Sequence, residues 1–153
     1  MSRQLRSCLV LSIAAIATAA CDSGGPSPVA AGMKSGPHGG VAVPLADGKA
    51  YVEVLVEKGG GTKTKPQVRL VAFFLTPELD AALAEAPSSI SMKVIPPVGE
   101  PSTVTLKLQA DAKDPLAKQK YVSDPGPYDY DELRGEITAS VSGESSTAAF
   151  AFR

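Results

Sequence analysis

The sequence predicts a mostly β protein: a single antiparallel β-sandwich of immunoglobulin-like size, with roughly seven or eight strands and one short helix. Three observations carry this expectation. From Gly39 onward apolar residues alternate with polar ones, the period of a strand with one face toward a core. Turn residues interrupt the alternation at intervals of roughly ten residues. The chain has 153 residues, 44% of them hydrophobic, and setting aside an N-terminal leader and spacer leaves enough for one core and no second domain. No internal repeat is visible.

Taken in order, the first pair of strands is "VAVPL" and "AYVEVLVE". Between them Asp47-Gly48 predicts a tight turn with positive φ. Val52, Val54 and Val56 share one face of the second strand, and Tyr51, Glu53, Leu55 and Glu57 the other. The run "EKGGGTKTKPQVR" reads as a mobile, soluble hairpin tip. It gathers Lys58, Lys63, Lys65 and Arg69 around glycines but lacks the residue order of a P-loop. Next, "QVRLVAFFL" is apolar on both faces and predicts a buried central strand. "TPELDAALAEAP" has Thr76 as N-cap, Pro77 at the first helical position and Leu79, Ala82, Leu83 and Ala86 at helical spacing, which predicts a helix over Pro77 to Glu85. Further strands are expected at Ile90 to Val94, at Val104 to Leu108 and at Tyr121-Val122. The closing "EITASVSGESSTAAFAF" is a hairpin turning near Ser142 to Glu144, its Ile137, Ala139 and Val141 facing Ala148, Phe150 and Phe152.

Ahead of the strands lies a leader over residues 1–20. Met1 to Ser7 carries Arg3 and Arg6 with no acidic residue, and Cys8 to Ala20 is nearly all apolar, the layout of a secretory signal. A membrane-spanning helix wants about 20 apolar residues in line, so this run is short for one. Thr18-Ala19-Ala20-Cys21 resembles the lipobox of bacterial lipoproteins, in which the cysteine is acylated and becomes the first residue of the mature chain. Thr18 stands where such boxes usually carry Leu or Val. Ordinary secretory cleavage at the same place and a structural cysteine are the alternatives. The chain has two cysteines, and loss of the leader leaves Cys21 with no intramolecular partner. Acylation gives that thiol a role, at about 0.8 kcal/mol of anchoring per buried CH₂. Residues 21–37 then form the lipidated Cys and a Gly/Ser/Pro tether, with a typical coil span of about 20 Å, and 38–153 the sandwich. The expected location is the cell envelope, with the membrane as a partner through Cys21.

The formal net charge of −1 gives no basic footprint for nucleic acid. The single histidine, His38, sits in "SGPHGG", where glycines let the backbone turn tightly. It reads either as a turn or surface residue or as one ligand of a metal site completed by carboxylates, Met33 or a terminal amine, since zinc sites take three or four protein ligands. The acidic loop Asp124, Asp129, Asp131 and Glu132 offers hard oxygen donors of the kind calcium takes, at spacings unlike an EF-hand; its alternative is a solvated loop with Tyr128 or Tyr130 packed on the sandwich edge. With one histidine, Ser-His-Asp or Cys-His chemistry has few parts, and no catalytic residue is expected.

The run "GPHGGVAVPLADGKAYVEVLVE", then "KYVSDPG", then the hairpin "GEITASVSG", resembles a domain of small bacterial envelope lipoproteins and the N-terminal β-sandwich of periplasmic adaptor subunits in heavy-metal efflux pumps. The likeness spans about Gly36 to Phe152, and Pro37-His38-Gly39-Gly40 is its most specific element. The chain lacks the helical hairpin and barrel regions of a full adaptor. The resemblance implies a stand-alone relative of that domain, concerned with metal sensing, metal carrying or protein contact, with His38 as the matched residue and a transition-metal ion as the candidate ligand. The expected function is a lipid-anchored, non-enzymatic envelope module that binds a partner protein or a metal ion. Alternatives are a purely structural surface lipoprotein and a hydrolase using Asp129, Asp131 or Glu132.

Overall fold

The computed structural model describes residues 33–62, 65–128 and 133–152. Its strands are β1 (Lys34–Ser35), β2 (Val41–Leu45), β3 (Ala50–Thr62), β4 (Lys65–Leu75), β5 (Ser88–Ile95), β6 (Ser102–Val104), β7 (Leu106–Leu108), β8 (Lys120–Ser123), β9 (Arg134–Val141) and β10 (Glu144–Ala151). All pairings are antiparallel. One sheet of six strands runs β1-β2-β3-β4-β8-β7 and one of four runs β10-β9-β5-β6. The mostly β, two-sheet architecture is as the alternation predicts.

The core fills the space between the sheets. Val43, Leu45, Val52, Val54, Leu70, Ala72 and Phe74 of the larger sheet meet Met92, Val94, Ile137, Ala139, Ala148 and Phe150 of the smaller. β4 is central, and its other face is buried too. Val71, Phe73 and Leu75 point away from the smaller sheet into a second apolar cluster with Ala117 and Val122, beneath the segment that joins β7 to β8. That outer face is where charged side chains collect.

Turn chemistry fixes the hairpins. Ser142 (φ 50°) and Gly143 (φ 82°) link Val141 and Glu144, which pair directly, a two-residue turn whose positive φ values match strand twist. At the first hairpin Leu45 pairs with Ala50, so the connection spans four residues rather than two, with Ala46, Asp47 and Gly48 all at positive φ. Pro44 sits in the part of β2 beyond its short pairing with β1, an edge position that needs no ladder N–H.

Three expectations are corrected. No helix forms over Pro77 to Glu85: the segment is a chain of turns, with Leu79 at φ 64° and an isolated bridge from Ala82 to Leu75. A helix would put Leu79 and Leu83, four apart, on one face. Here Leu79 packs on the outer cluster and Leu83 on the main core, on opposite sides of the sheet. Two separate burials outweigh one isolated helix of under ten residues, which is marginal by itself. The glycine run is not simply a tip, since β3 continues to Thr62 and β4 starts at Lys65, with an irregularity between Lys58 and Gly60. The strands also number ten among the described residues. Val104 to Leu108 divides at Thr105 because β6 pairs with β5 of one sheet and β7 with β8 of the other, and Lys34–Ser35, inside the stretch read as tether, pairs with β2.

Candidate functional site

The sequence Gly36-Pro37-His38-Gly39-Gly40 folds into a turn over the outer face of the six-stranded sheet. The Gly39 N–H donates to the Gly36 carbonyl (3.1 Å) and the Gly36 N–H to the Gly40 carbonyl (2.9 Å). Beneath it lies Glu53 of β3. Alternation assigns this residue to a solvent face, yet it is completely buried. A Cβ at Gly36 would overlap the Glu53 carboxylate, and one at Gly40 the Val54 carbonyl oxygen, so glycine at these positions lets the turn close onto the acid.

A buried carboxylate is costly unless its oxygens are satisfied. Glu53 Oε1 accepts the backbone N–H groups of His38 (2.9 Å) and Gly40 (2.8 Å), and Oε2 lies 2.7 Å from His38 Nδ1. On the far edge of the ring, Nε2 lies 2.9 Å from Asp114 Oδ2. The other oxygen of Asp114 accepts the Leu116 N–H at 2.8 Å, capping the 3-10 turn Pro115–Gln119. The imidazole stacks on Phe73 with centroids 3.8 Å apart and planes 10° from parallel. Register explains the assembly, because Glu53 pairs with Phe73 across β3 and β4 and Phe73 with Lys120 across β4 and β8. Lys120 Nζ stands 5.5 Å from the Phe73 ring centroid and donates to Glu57 Oε1 at 3.0 Å.

The electrostatics follow from this geometry. Burial pulls the His38 pKa down, but hydrogen bonds to Glu53 and Asp114, with their negative charges, outweigh it and raise the value above the usual 6.5. Asp114 is held below the ordinary carboxylate value by its hydrogen bond to His38 and by the Leu116 N–H. A ring with a carboxylate oxygen at each nitrogen donates through both only as imidazolium. The unit is a carboxylate–imidazole–carboxylate bridge joining the entry turn, β3 and the segment before β8, and the raised pKa favours its imidazolium form.

No family model, curated protein or solved structure matches the chain.

As to the candidates named from sequence, His38 is at the centre of the cluster. Its two nitrogens point to opposite edges of the ring, each taken by a different carboxylate, so in this arrangement Glu53 and Asp114 do not converge with it on one ion. Among the described residues no group of three or more His, Cys, Asp or Glu side chains is placed to hold a metal. Asp124 lies elsewhere, in an exposed pair with Lys107 at 2.8 Å; Asp129, Asp131, Glu132 and Cys21 lie outside the described residues. Tyr128 is partly buried against the main core. Glu53, Asp114 and Phe73 are the members that sequence reasoning missed. The signal for Glu53 was Leu55 on the same nominal polar face, an apolar neighbour that a truly solvated face would not need. A separate cleft of about 530 Å³, lined by Pro96, Pro97, Val98, Pro127, Tyr128 and Leu133 among others, has mostly apolar walls, and among the described residues that line it Tyr128 is the titratable one.

Proposed function

We propose that the chain is a lipid-anchored, non-enzymatic module of the cell envelope, held at the membrane through Cys21 and acting by contact with a partner protein. The observation that carries this reading is the saturation of its only histidine. A general base needs a free ring nitrogen within reach of a substrate proton, and a metal ligand needs a free lone pair; His38 offers neither while Glu53 and Asp114 hold it. The cluster instead does structural work, closing the entry turn against the sandwich. The leader, the Cys21 box and the resemblance to envelope adaptor domains support the location and the class of activity.

The test uses the full chain expressed with its own leader in a bacterial host. Acylation at Cys21 predicts partition into the detergent phase and an intact mass raised by acyl chains, both abolished by Cys21→Ser. Addition of copper or zinc at micromolar concentration should leave the thermal midpoint of the purified chain unchanged. A rise in midpoint that His38→Ala removes would overturn the non-metal reading, since a ligand bound at a hundredfold excess over Kd stabilises by about 2.7 kcal/mol. A chain that stays aqueous with an unmodified Cys21 would overturn the anchor.

A further inference from the structure

The bridge ties together parts of the chain that are far apart in sequence, His38 and Asp114 being separated by 76 positions. Its two carboxylates are not equivalent. Glu53 is fully buried and keeps two backbone N–H donors whatever the ring does. Asp114 has a side chain 36% exposed, and water can replace the ring as its donor. A neutral imidazole carries one N–H. Burial decides which acid keeps it, because stripping Glu53 of a donor costs more than returning Asp114 to water. The proton therefore stays on Nδ1, and the Nε2 lone pair is left facing a carboxylate oxygen at the 2.9 Å contact, acceptor against acceptor.

We propose that His38 is a proton-operated clasp for the segment between β7 and β8: as imidazolium it holds Asp114 and docks Asp111 to Gln119 on the outer face of the six-stranded sheet, and on losing its proton it releases Asp114 and shifts that segment toward an undocked state. The remaining attachments are modest. Leu116 and Ala117 rest on the cluster of Val71, Phe73, Leu75 and Val122, whereas the Asp111 N–H bond to the Ala117 carbonyl at 3.2 Å lies within the segment and does not tie it to the sheet. The charges around the ring leave control with the two acids. From β3 come Glu53 and Glu57, the latter paired with Lys120 of β8; β4 presents the uncharged Phe73. Within the docked segment Asp111 accepts the Lys113 N–H, and Lys113 and Lys118 face solvent. Undocking uncovers the apolar face around Phe73, so the clasp gates an apolar surface by proton concentration.

With a single histidine, the full chain, prepared in detergent micelles without a histidine tag, gives one imidazole signal by nitrogen NMR. Ring protonation and hydrogen-exchange protection of the Leu116 and Ala117 amides are followed together from about pH 5.5 to 9. The clasp predicts a ring still doubly protonated at about pH 6.5, the midpoint of a free histidine. Through its titration, protection of the two amides, corrected for intrinsic exchange, should fall by up to about tenfold per pH unit, the slope of one linked proton. Asp114→Asn, which gives a neutral ring an amide donor to accept from, should flatten this dependence, and Asp114→Ala should lower the ring midpoint. Because Asp114 is partly exposed, both variants are expected to fold. The proposal fails if the ring titrates at or below the free value, if protection ignores the titration, or if Asp114→Asn keeps the wild-type dependence.

Discussion

The two faces of the six-stranded sheet are built on different principles. The inner face, with Val43, Leu45, Val52, Val54, Leu70, Ala72 and Phe74, is uniformly apolar and meets the smaller sheet. The outer face buries Phe73, Val71 and Leu75 beside a carboxylate, an imidazole and a second acid. Apolar burial is non-directional and tolerant of rearrangement. A buried carboxylate demands particular donors at particular angles and responds to protons. The inner face therefore supplies most of the stability, and the outer face supplies specificity of closure and sensitivity to pH.

Substitutions that separate the faces should order themselves by size. Phe74→Ala, which opens the inner core and removes the edge-to-face contact with Tyr121 at 5.5 Å, should cost about 3–5 kcal/mol in denaturant unfolding, equally at pH 6 and pH 8.5. A cost that varied strongly with pH would break the division of labour. His38→Ala should cost about 1.5–3 kcal/mol, the loss of hydrogen bonds to charged groups, but with a pH signature. A raised folded pKa means that the charge-linked part of the His38 contribution is complete below about pH 6.5 and is lost as pH rises through the folded value, so the gap between wild type and variant narrows in alkaline solution to what the Nδ1–H bond to Glu53 and the stack on Phe73 still supply. Asp114, with a lowered value, contributes above its ordinary 3.8 and loses that contribution as pH falls through the folded value. The outer site is thus strongest in mildly acid solution, and equal wild-type and His38→Ala stabilities at pH 6 would remove it as a stabilising element.

Finer substitutions sharpen the picture. Gly40→Ala, driving a Cβ into the Val54 carbonyl, should cost about 1–3 kcal/mol through overpacking. Its neighbour Gly39 has open space around it and φ +84°, so Gly39→Ala should cost about 1 kcal/mol for backbone conformation alone. Reversal of that order would mean that backbone strain rather than closure over Glu53 limits the turn. Asp124→Asn, in an exposed pair with Lys107, should change stability by less than about 0.5 kcal/mol, and its calorimetric midpoint should be as insensitive to salt as the wild type's.

Local rules made the fold legible. Strand positions from Val41 to Phe150 follow from alternation, and the Ser142-Gly143 turn from its residues. Where the reading failed, a distant partner decided the outcome. Leu79 and Leu83 carry a helical spacing, but the sheet edge offers each a different apolar cluster, and no local pattern encodes that. Glu53 looked solvated because period-2 logic assumes an uncovered face; here a turn 13 to 15 residues upstream and a segment beyond β7 cover it. His38 stood out because it is unique and flanked by glycines, while Asp114 had nothing local to mark it as a partner. The site is non-local in both acids, so residue types singled out His38 but not the two carboxylates that flank its ring.

The position of the entry turn also bears on how the molecule carries a load. Tension on the chain ahead of residue 33 meets Met33, which packs against the main core, and then the two residue pairs of β1 with β2, which would peel one after the other. The next holding point is the Glu53 carboxylate, gripping the turn through the His38 and Gly40 amides and the ring at once. Those three bonds must be strained together before force reaches β2 and the core. The glycine turn would therefore serve as a mechanical stop, a domain tugged from its N-terminal side yielding the Met33 contact and two residue pairs before it holds.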